Sequence, residues 1–200
     1  MGQNPFTPAI SGSIVGFDFN PTVDRVRLVT GNGQNLRLNP ETGAVAALDN
    51  DLNPNAPNVN AVAYINSYAG ASSTTLFDID LASQKLFVQD PPNDGTLKEV
   101  GSLGIAPAEE GGFDISPDNA VALASLTVNG INGLYQIDLS SGRAILLGKL
   151  SAEVIGIAIP TNPVAYSVDA SNNLTVFDFT KSNAPVSTAI KGLQMSQTIL

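Results

Sequence analysis

Four copies of one short pattern run through the chain and constrain its fold more than any single residue does. They are Gly16-Phe17-Asp18-Phe19-Asn20, Val62-Ala63-Tyr64-Ile65-Asn66, Gly112-Phe113-Asp114-Ile115-Ser116 and Gly156-Ile157-Ala158-Ile159-Pro160, and their last residues lie 46, 50 and 44 positions apart. A period in the forties with strand-like content is the mark of a β-propeller or a related array of β-blades. Each period reads as four short strands. In the first these are Ile14–Phe19, Val26–Thr30, Asn35–Leu38 and Val45–Leu48. The second offers Val62–Ile65, Thr75–Ile79, Lys85–Gln89 and Thr96–Leu103. The third offers Phe113–Ile115, Val121–Thr127, Leu134–Ile137 and Ala144–Leu147, and the fourth Ile155–Ile159, Val164–Val168, Leu174–Phe177 and Val186–Ile190.

Turn chemistry supports this division. Gly31-Asn32-Gly33 separates two strands of the first repeat, and Asn-Gly is a strong two-residue hairpin signal because both residues accept positive φ. The third strand of each repeat ends in Asn39, Asp90, Asp138 or Asp178, followed by a turn that closes on Gly43, Gly95, Gly142 or Asn183. Such side chains bond backbone N–H groups two residues on, so these four are read as structural turn caps. No window of twelve residues keeps a 3.6-residue apolar period without a turn signal inside it. The fold class is therefore all-β: a β-propeller-like array of four four-stranded antiparallel blades, incomplete or open. One domain over residues 1–200 is expected, with repeats at about 14–48, 61–103, 112–150 and 154–193.

The C-terminal stretch Gly192 to Leu200 resembles Gly148-Lys149-Leu150, so a fifth first strand is expected to begin there. No sharing of strands between the two ends is visible. An open array leaves sheet edges and apolar faces uncovered, which favours pairing with a partner.

Composition excludes several chemistries. There is no Cys and no His, which removes thiol nucleophiles, zinc–thiolate sites and Ser-His-Asp triads. An enzyme built on this chain would depend on carboxylates, Lys, Tyr or a hard metal. Nine basic against eighteen acidic residues leave a net charge of −9, which repels phosphate backbones, so no nucleic-acid partner is expected. No run approaches the roughly 20 apolar residues of a membrane span, so no membrane insertion is expected. Met1 to Ser13 lacks the basic and apolar regions of a signal peptide, though a leader could have been removed from a longer precursor.

The stretch Gly16-Phe17-Asp18-Phe19-Asn20-Pro21-Thr22-Val23-Asp24-Arg25-Val26-Arg27, followed by Gly33 to Gly43, resembles a bacterial family called the domain of unknown function 4394. Thr75 to Asp80, Gln89 to Leu97 and Gly112 to Ser116 carry the resemblance further, over about residues 14–160. Val164 to Leu200 looks like the opening blade of the same domain displaced to the C-terminus. A complete member would carry one more blade before the Gly16 blade. The resemblance implies an exported module, extracellular or periplasmic, and names no catalytic residue.

Three sets of residues are candidates for a site. Asp18 and Asp114 hold the same place in two first strands, where they could meet a cation in a central channel or bond the backbone of the next blade. Asp24, Arg25, Arg27 and Arg37 concentrate three arginines in one blade, and could recognise an acidic ligand or pair internally with Asp18 and Asp24. Asp49, Asp51 and Asn53 alternate like the start of a calcium loop, but Pro54 stands where Gly is needed and no helix flanks them. Calcium is the one metal these residues point to. The leading functional expectation is a non-enzymatic binding or protein-interaction module for a protein, a glycan or another copy of itself. A metal-dependent hydrolase or lactonase, and a structural repeat that closes by self-association, are the alternatives.

Overall fold

The computed structural model describes residues 7–12, 15–108 and 111–160 in full, and the backbone of three further strands at 164–168, 173–178 and 186–189. The chain divides into two compact units, Met1–Ile159 and Pro160–Leu200, where the repeats alone pointed to one domain.

The first unit holds three four-stranded antiparallel sheets, each folded in chain order. The first blade is β1 (Val15–Asn20), β2 (Arg25–Thr30), β3 (Asn35–Leu38) and β4 (Val45–Leu48). The second is β5 (Val59–Tyr64), β6 (Leu76–Asp80), β7 (Lys85–Gln89) and β8 (Leu97–Ser102), and the third is β9 (Gly112–Ile115), β10 (Ala122–Val128), β11 (Ile131–Ile137) and β12 (Ala144–Lys149). The inner strand β5 packs beside both β1 and β9, so the blades are stacked face to face around adjacent first strands. That is the arrangement of propeller blades.

Strand alternation decides what lies between the blades. One face of the second blade carries Ala61, Ala63, Phe77, Ile79 and Leu86, and it meets Phe113, Ile115, Ala124, Tyr135 and Ile137 of the third in one apolar cluster. Each fully buried Ile or Leu there contributes about 1.5–3 kcal/mol over exposure. The opposite face of the second blade, with Val62, Tyr64, Leu76 and Leu97, meets Val29 of the first. The far face of the first blade is built from Val26, Leu28, Leu36 and Leu38, with Ile10 packed over part of it.

The second repeat is displaced by one residue from its sequence alignment. A Cβ on Gly16 would stand 3.1 Å from Ala61 Cα, and one on Gly112 would stand 2.8 Å from Gly156 Cα. Gly16, Ala61, Gly112 and Gly156 are therefore equivalent, and the true motif in repeat two is Ala61-Val62-Ala63-Tyr64. The alignment on Asn66 fails because β5 is followed by a longer connection, Ile65 to Thr75, whose chain closes back through the Ile65–Thr75 hydrogen bond of 3.1 Å.

Two further expectations change. Asn32-Gly33 does not make a two-residue turn: Thr30 N–H bonds Gln34 O at 3.0 Å, and only Gly33 of this three-residue loop has positive φ, at 87°. The two-residue turn lies at Asn129-Gly130, with φ of 52° and 73°, between the paired Val128 and Ile131. This is type I′ chemistry and it starts β11 three residues earlier than Leu134. Ile155–Ile159 forms no strand, and its Ile159 N–H is taken by the Asp114 carboxylate instead of a ladder. Among the described residues, the second unit shows the three-stranded sheet β13 (Val164–Val168), β14 (Asn173–Asp178) and β15 (Val186–Ala189).

Candidate functional site

The seam between the first two blades is polar at its centre. Register places Arg27 directly opposite Arg37 across β2 and β3, a like-charge pair that would repel. Asp49 resolves it. Its Oδ2 accepts from Arg27 Nη1 at 2.6 Å and Arg37 Nε at 2.8 Å, and its Oδ1 accepts from Arg37 Nη2 at 2.8 Å. Burial works to raise the Asp49 carboxyl, but hydrogen bonds from Arg37 and Arg27 outweigh it and hold the group below the ordinary range. Arg27 also donates to Asn35 Oδ1 and Asn93 Oδ1, each at 2.8 Å, and to Tyr64 Oη at 3.5 Å. Asn35 Nδ2 in turn holds the carbonyls of Asn50 and Pro92 at 3.0 Å. One guanidinium, 2% exposed, thus ties β2 to two loops and to β5.

Beside it, the inner strands β1, β5 and β9 and residues 155–158 line a cleft of about 180 Å³. Asp18 and Asp114 act alike here. Asp18 accepts the N–H groups of Phe19 and Tyr64, each at 2.7 Å, and Asp114 accepts those of Ile115 and Ile159. Each acid therefore clamps its own strand to the next inner segment. Ala63 and Ala158 occupy the equivalent places between them, so acid and alanine alternate.

Burial, aided by repulsion from Asp114, pushes Asp18 up to about 7 against the pull of the Tyr64 N–H, and burial raises Asp114 too. A folded-state value above the unfolded one stabilises the fold at low pH. The Asp18 contribution is complete below the ordinary value of 3.8 and is lost as pH rises through about 7. Thermal melts across that window should show a falling Tm, and Asp18→Asn, which keeps an acceptor for Tyr64 N–H, should flatten the fall. A wild-type-like slope in the variant would count against Asp18 as the titrating group.

The remaining candidates do not gather into one place. Asp24 is exposed and Arg25 turns back onto the Asp24 carbonyl, whereas Arg27 is buried, so the three arginines form no shared recognition surface. Asp49 is occupied by arginines and Asn53 Nδ2 donates to the carbonyls of Asp51 at 3.0 Å and Asp94 at 2.8 Å, so Asp49, Asp51 and Asn53 do not converge as ligands. Among the described residues, no group of three or more acids is placed to hold a metal. Asn39 accepts from Glu41 and Thr42 N–H at 2.9 and 3.1 Å, and Asp138 from Ser140 N–H and Oγ at 2.8 and 2.6 Å. The Ser140 hydrogen bonds hold Asp138 down at about 2. Asp90 differs: its carboxylate pairs with Lys98 Nζ at 2.6 Å, and a 3-10 turn at Pro92–Asp94 closes that loop on Gly95 instead. The Asp178 side chain lies outside the described residues.

Tyr64, Asn93 and Asn35 escaped the sequence reading, as did Asp78. Alternation offered one signal, since Asp78 sits in an apolar strand pattern, Leu76 to Asp80, on the face shared with Leu76.

Face-stacked four-stranded meanders on adjacent inner strands define a β-propeller-like protein. Within that class the chain belongs to the domain of unknown function family DUF4394, whose model matches residues 1–158. The stretch from Ile159 onward lies outside the match. No curated protein matches the chain. Among solved structures it is similar to Kuenenia stuttgartiensis hydrazine synthase, at 17% identity and a TM-score of 0.45, over 86% of this chain and 49% of that one. It is also similar to a chain of a nidogen/laminin complex, at 11% identity and TM-score 0.48, over 88% and 64% of the two chains. A third is the Dos1 propeller, at 14% identity and TM-score 0.44, over 90% and 48%. The chain spans less than two thirds of the length of each of these.

Proposed function

We propose that this chain is a non-enzymatic interaction module that associates through the outer face of its first blade. One observation carries the reading. At equivalent positions of the inner strands, Val62 and Tyr64 are each 1% exposed and Phe113 and Ile115 are 5% and 0%, but Phe17 and Phe19 are 62% and 56%. In the second and third blades these side chains are covered by the blade before them. The first blade has the same face, where Phe17, Phe19 and Leu48 stay exposed above Leu28 and Leu36, which are themselves buried with Ile10 packed over part of the face.

The occupant we assign is the same face of a second copy. Two apolar sheet faces pack at aligned angles, and one patch meeting itself gives a closed two-fold dimer. The charge supports this choice, since copies of net charge −9 repel and can approach closely only where the surface is uncharged.

Light scattering at micromolar concentration should give a dimer, and Phe17→Ser with Phe19→Ser should give a monomer. Because both rings are exposed, the monomer's own stability should change by less than about 0.5 kcal/mol per site. A wild-type chain that stays monomeric at every concentration would overturn the reading.

A further inference from the structure

Asp78 lies in the middle of β6, wholly buried in the seam between the first and second blades. Neither of its carboxylate oxygens has a hydrogen-bond partner among the described residues, and the same holds for Oε1 of the buried Gln89. Other buried or half-buried acids of this unit are satisfied: Asp80 accepts from Asn58, Ala82 and Ser83, Asp49 from two arginines, and Asp18 and Asp114 from backbone N–H groups. Asp78 stands opposite Phe87 and Gln89 opposite Leu76 on the β6–β7 ladder, so the two are diagonal neighbours on one face. Gln89 already uses its Nε2 on the Pro92 carbonyl at 2.6 Å, which leaves Oε1 as the end that needs a donor.

Three unmatched acceptor oxygens on diagonal neighbours are costly in a buried seam, each by the desolvation of an unpaired polar group. One proton on Asp78 turns one of its oxygens into a donor, which satisfies that oxygen and Gln89 Oε1 with a single bond. We propose that Asp78 is held as a neutral carboxylic acid that donates to Gln89 Oε1, and that loss of this proton to solvent at higher pH opens the seam between the first two blades. The surrounding charges fit. Arg27 from β2 faces Asp78 but gives its hydrogen bonds to Asn35, Asp49, Asn93 and Tyr64. Arg37 from β3 is committed to Asp49, Asp18 from β1 to Tyr64 N–H, and Lys85 from β7 to Glu99 of β8 at 2.8 Å. Asp80 on β6 itself disfavours a negative charge on Asp78, and a charged Asp78 would in turn push the nearby Tyr64 phenol of β5 up. Burial is the largest influence on Asp78 and raises it well above the ordinary carboxylate range, with Arg27 opposing and Asp80 adding.

Linkage gives the sign. A carboxyl raised in the folded state stabilises the fold below its unfolded value, and that stabilisation disappears as pH climbs through the folded value. The test uses the full chain in an Asp18→Asn background, so that the Asp18 titration is absent. The ¹³C shift of the Asp78 carboxyl carbon should remain at its protonated position at neutral pH and move only on the alkaline side. Titration near the ordinary value of about 4 would overturn the proposal. Adding Asp78→Asn, whose amide can donate to Gln89, should raise Tm relative to the background by about 3 °C or more near pH 9, and by less near pH 5. A difference that does not change with pH would also overturn it. If that variant fails to fold, the carbon titration of the folded background chain decides alone.

Discussion

Replacing Arg27 with methionine is expected to destabilise the chain by about 3–5 kcal/mol, the cost of removing one partner from a buried ionic network. Methionine fills most of the volume of the arginine stem, so little of the loss is packing. What disappears is a set of donors. Asn35 Oδ1, Asn93 Oδ1 and Asp49 Oδ2 each accept from Arg27 within 2.8 Å, in a seam that solvent does not reach at Arg27. Asp49 keeps Arg37, which limits the damage at that carboxylate. Asn35 and Asn93 have no such reserve among the described contacts, and Asn93 belongs to the 3-10 turn that holds the loop after β7. Lysine should recover only part of the loss, because an ammonium cannot reproduce the planar fork that reaches four side chains at once. Chemical denaturation should show a lower midpoint at unchanged slope for Arg27→Met. Arg25→Ala, two residues away and turned onto its own chain, should stay within about 0.5 kcal/mol of wild type. Equal effects at the two positions would remove the case for a buried network.

Gly112→Ala carries the second large effect, about 3 kcal/mol, because the atoms that a methyl would meet are backbone. A Cβ there would overlap the Ile157 nitrogen and stand 2.8 Å from Gly156 Cα. The segment cannot retreat without breaking the bond between Asp114 and Ile159 N–H. Gly16→Ala presents the same contact in milder form, with Ala61 Cα and the Val62 nitrogen at 3.1 Å, and should cost about 1 kcal/mol. Unfolding midpoints of the two variants give the comparison directly. A Gly112→Ala chain as stable as Gly16→Ala would mean that the two inner segments are free to separate.

The acids of the motif and its glycines therefore act as one device. Glycine lets the next inner segment approach, and the aspartate two residues on grips its N–H. Where Ala61 replaces glycine and Ala63 replaces the acid, the second blade relies on side-chain packing with Phe113 and Ile115 and on the paired amides of Asn66 and Asn119, at 2.6 Å. Repetition of a motif thus does not mean repetition of its bonds.

How much of this was legible beforehand follows from the range of each interaction. The all-β class and most strands rest on alternation and on contacts within a few residues, so the chain order alone determined them, down to Asn35–Leu38, Val45–Leu48 and Lys85–Gln89, but not the turn at Asn129-Gly130 or the unpaired course of Ile155–Ile159. The caps at Asn39 and Asp138 are likewise bonds to residues two or three positions on. The tertiary structure decided the rest. Arg27 finds Tyr64 and Asn93 at separations of 37 and 66 residues, and only blade stacking turns a charged strand residue into a buried one. The same stacking exposes Phe17 and Phe19 while burying Phe113 and Ile115 in nearly the same sequence, because burial depends on which face meets a neighbouring blade and no local pattern records that.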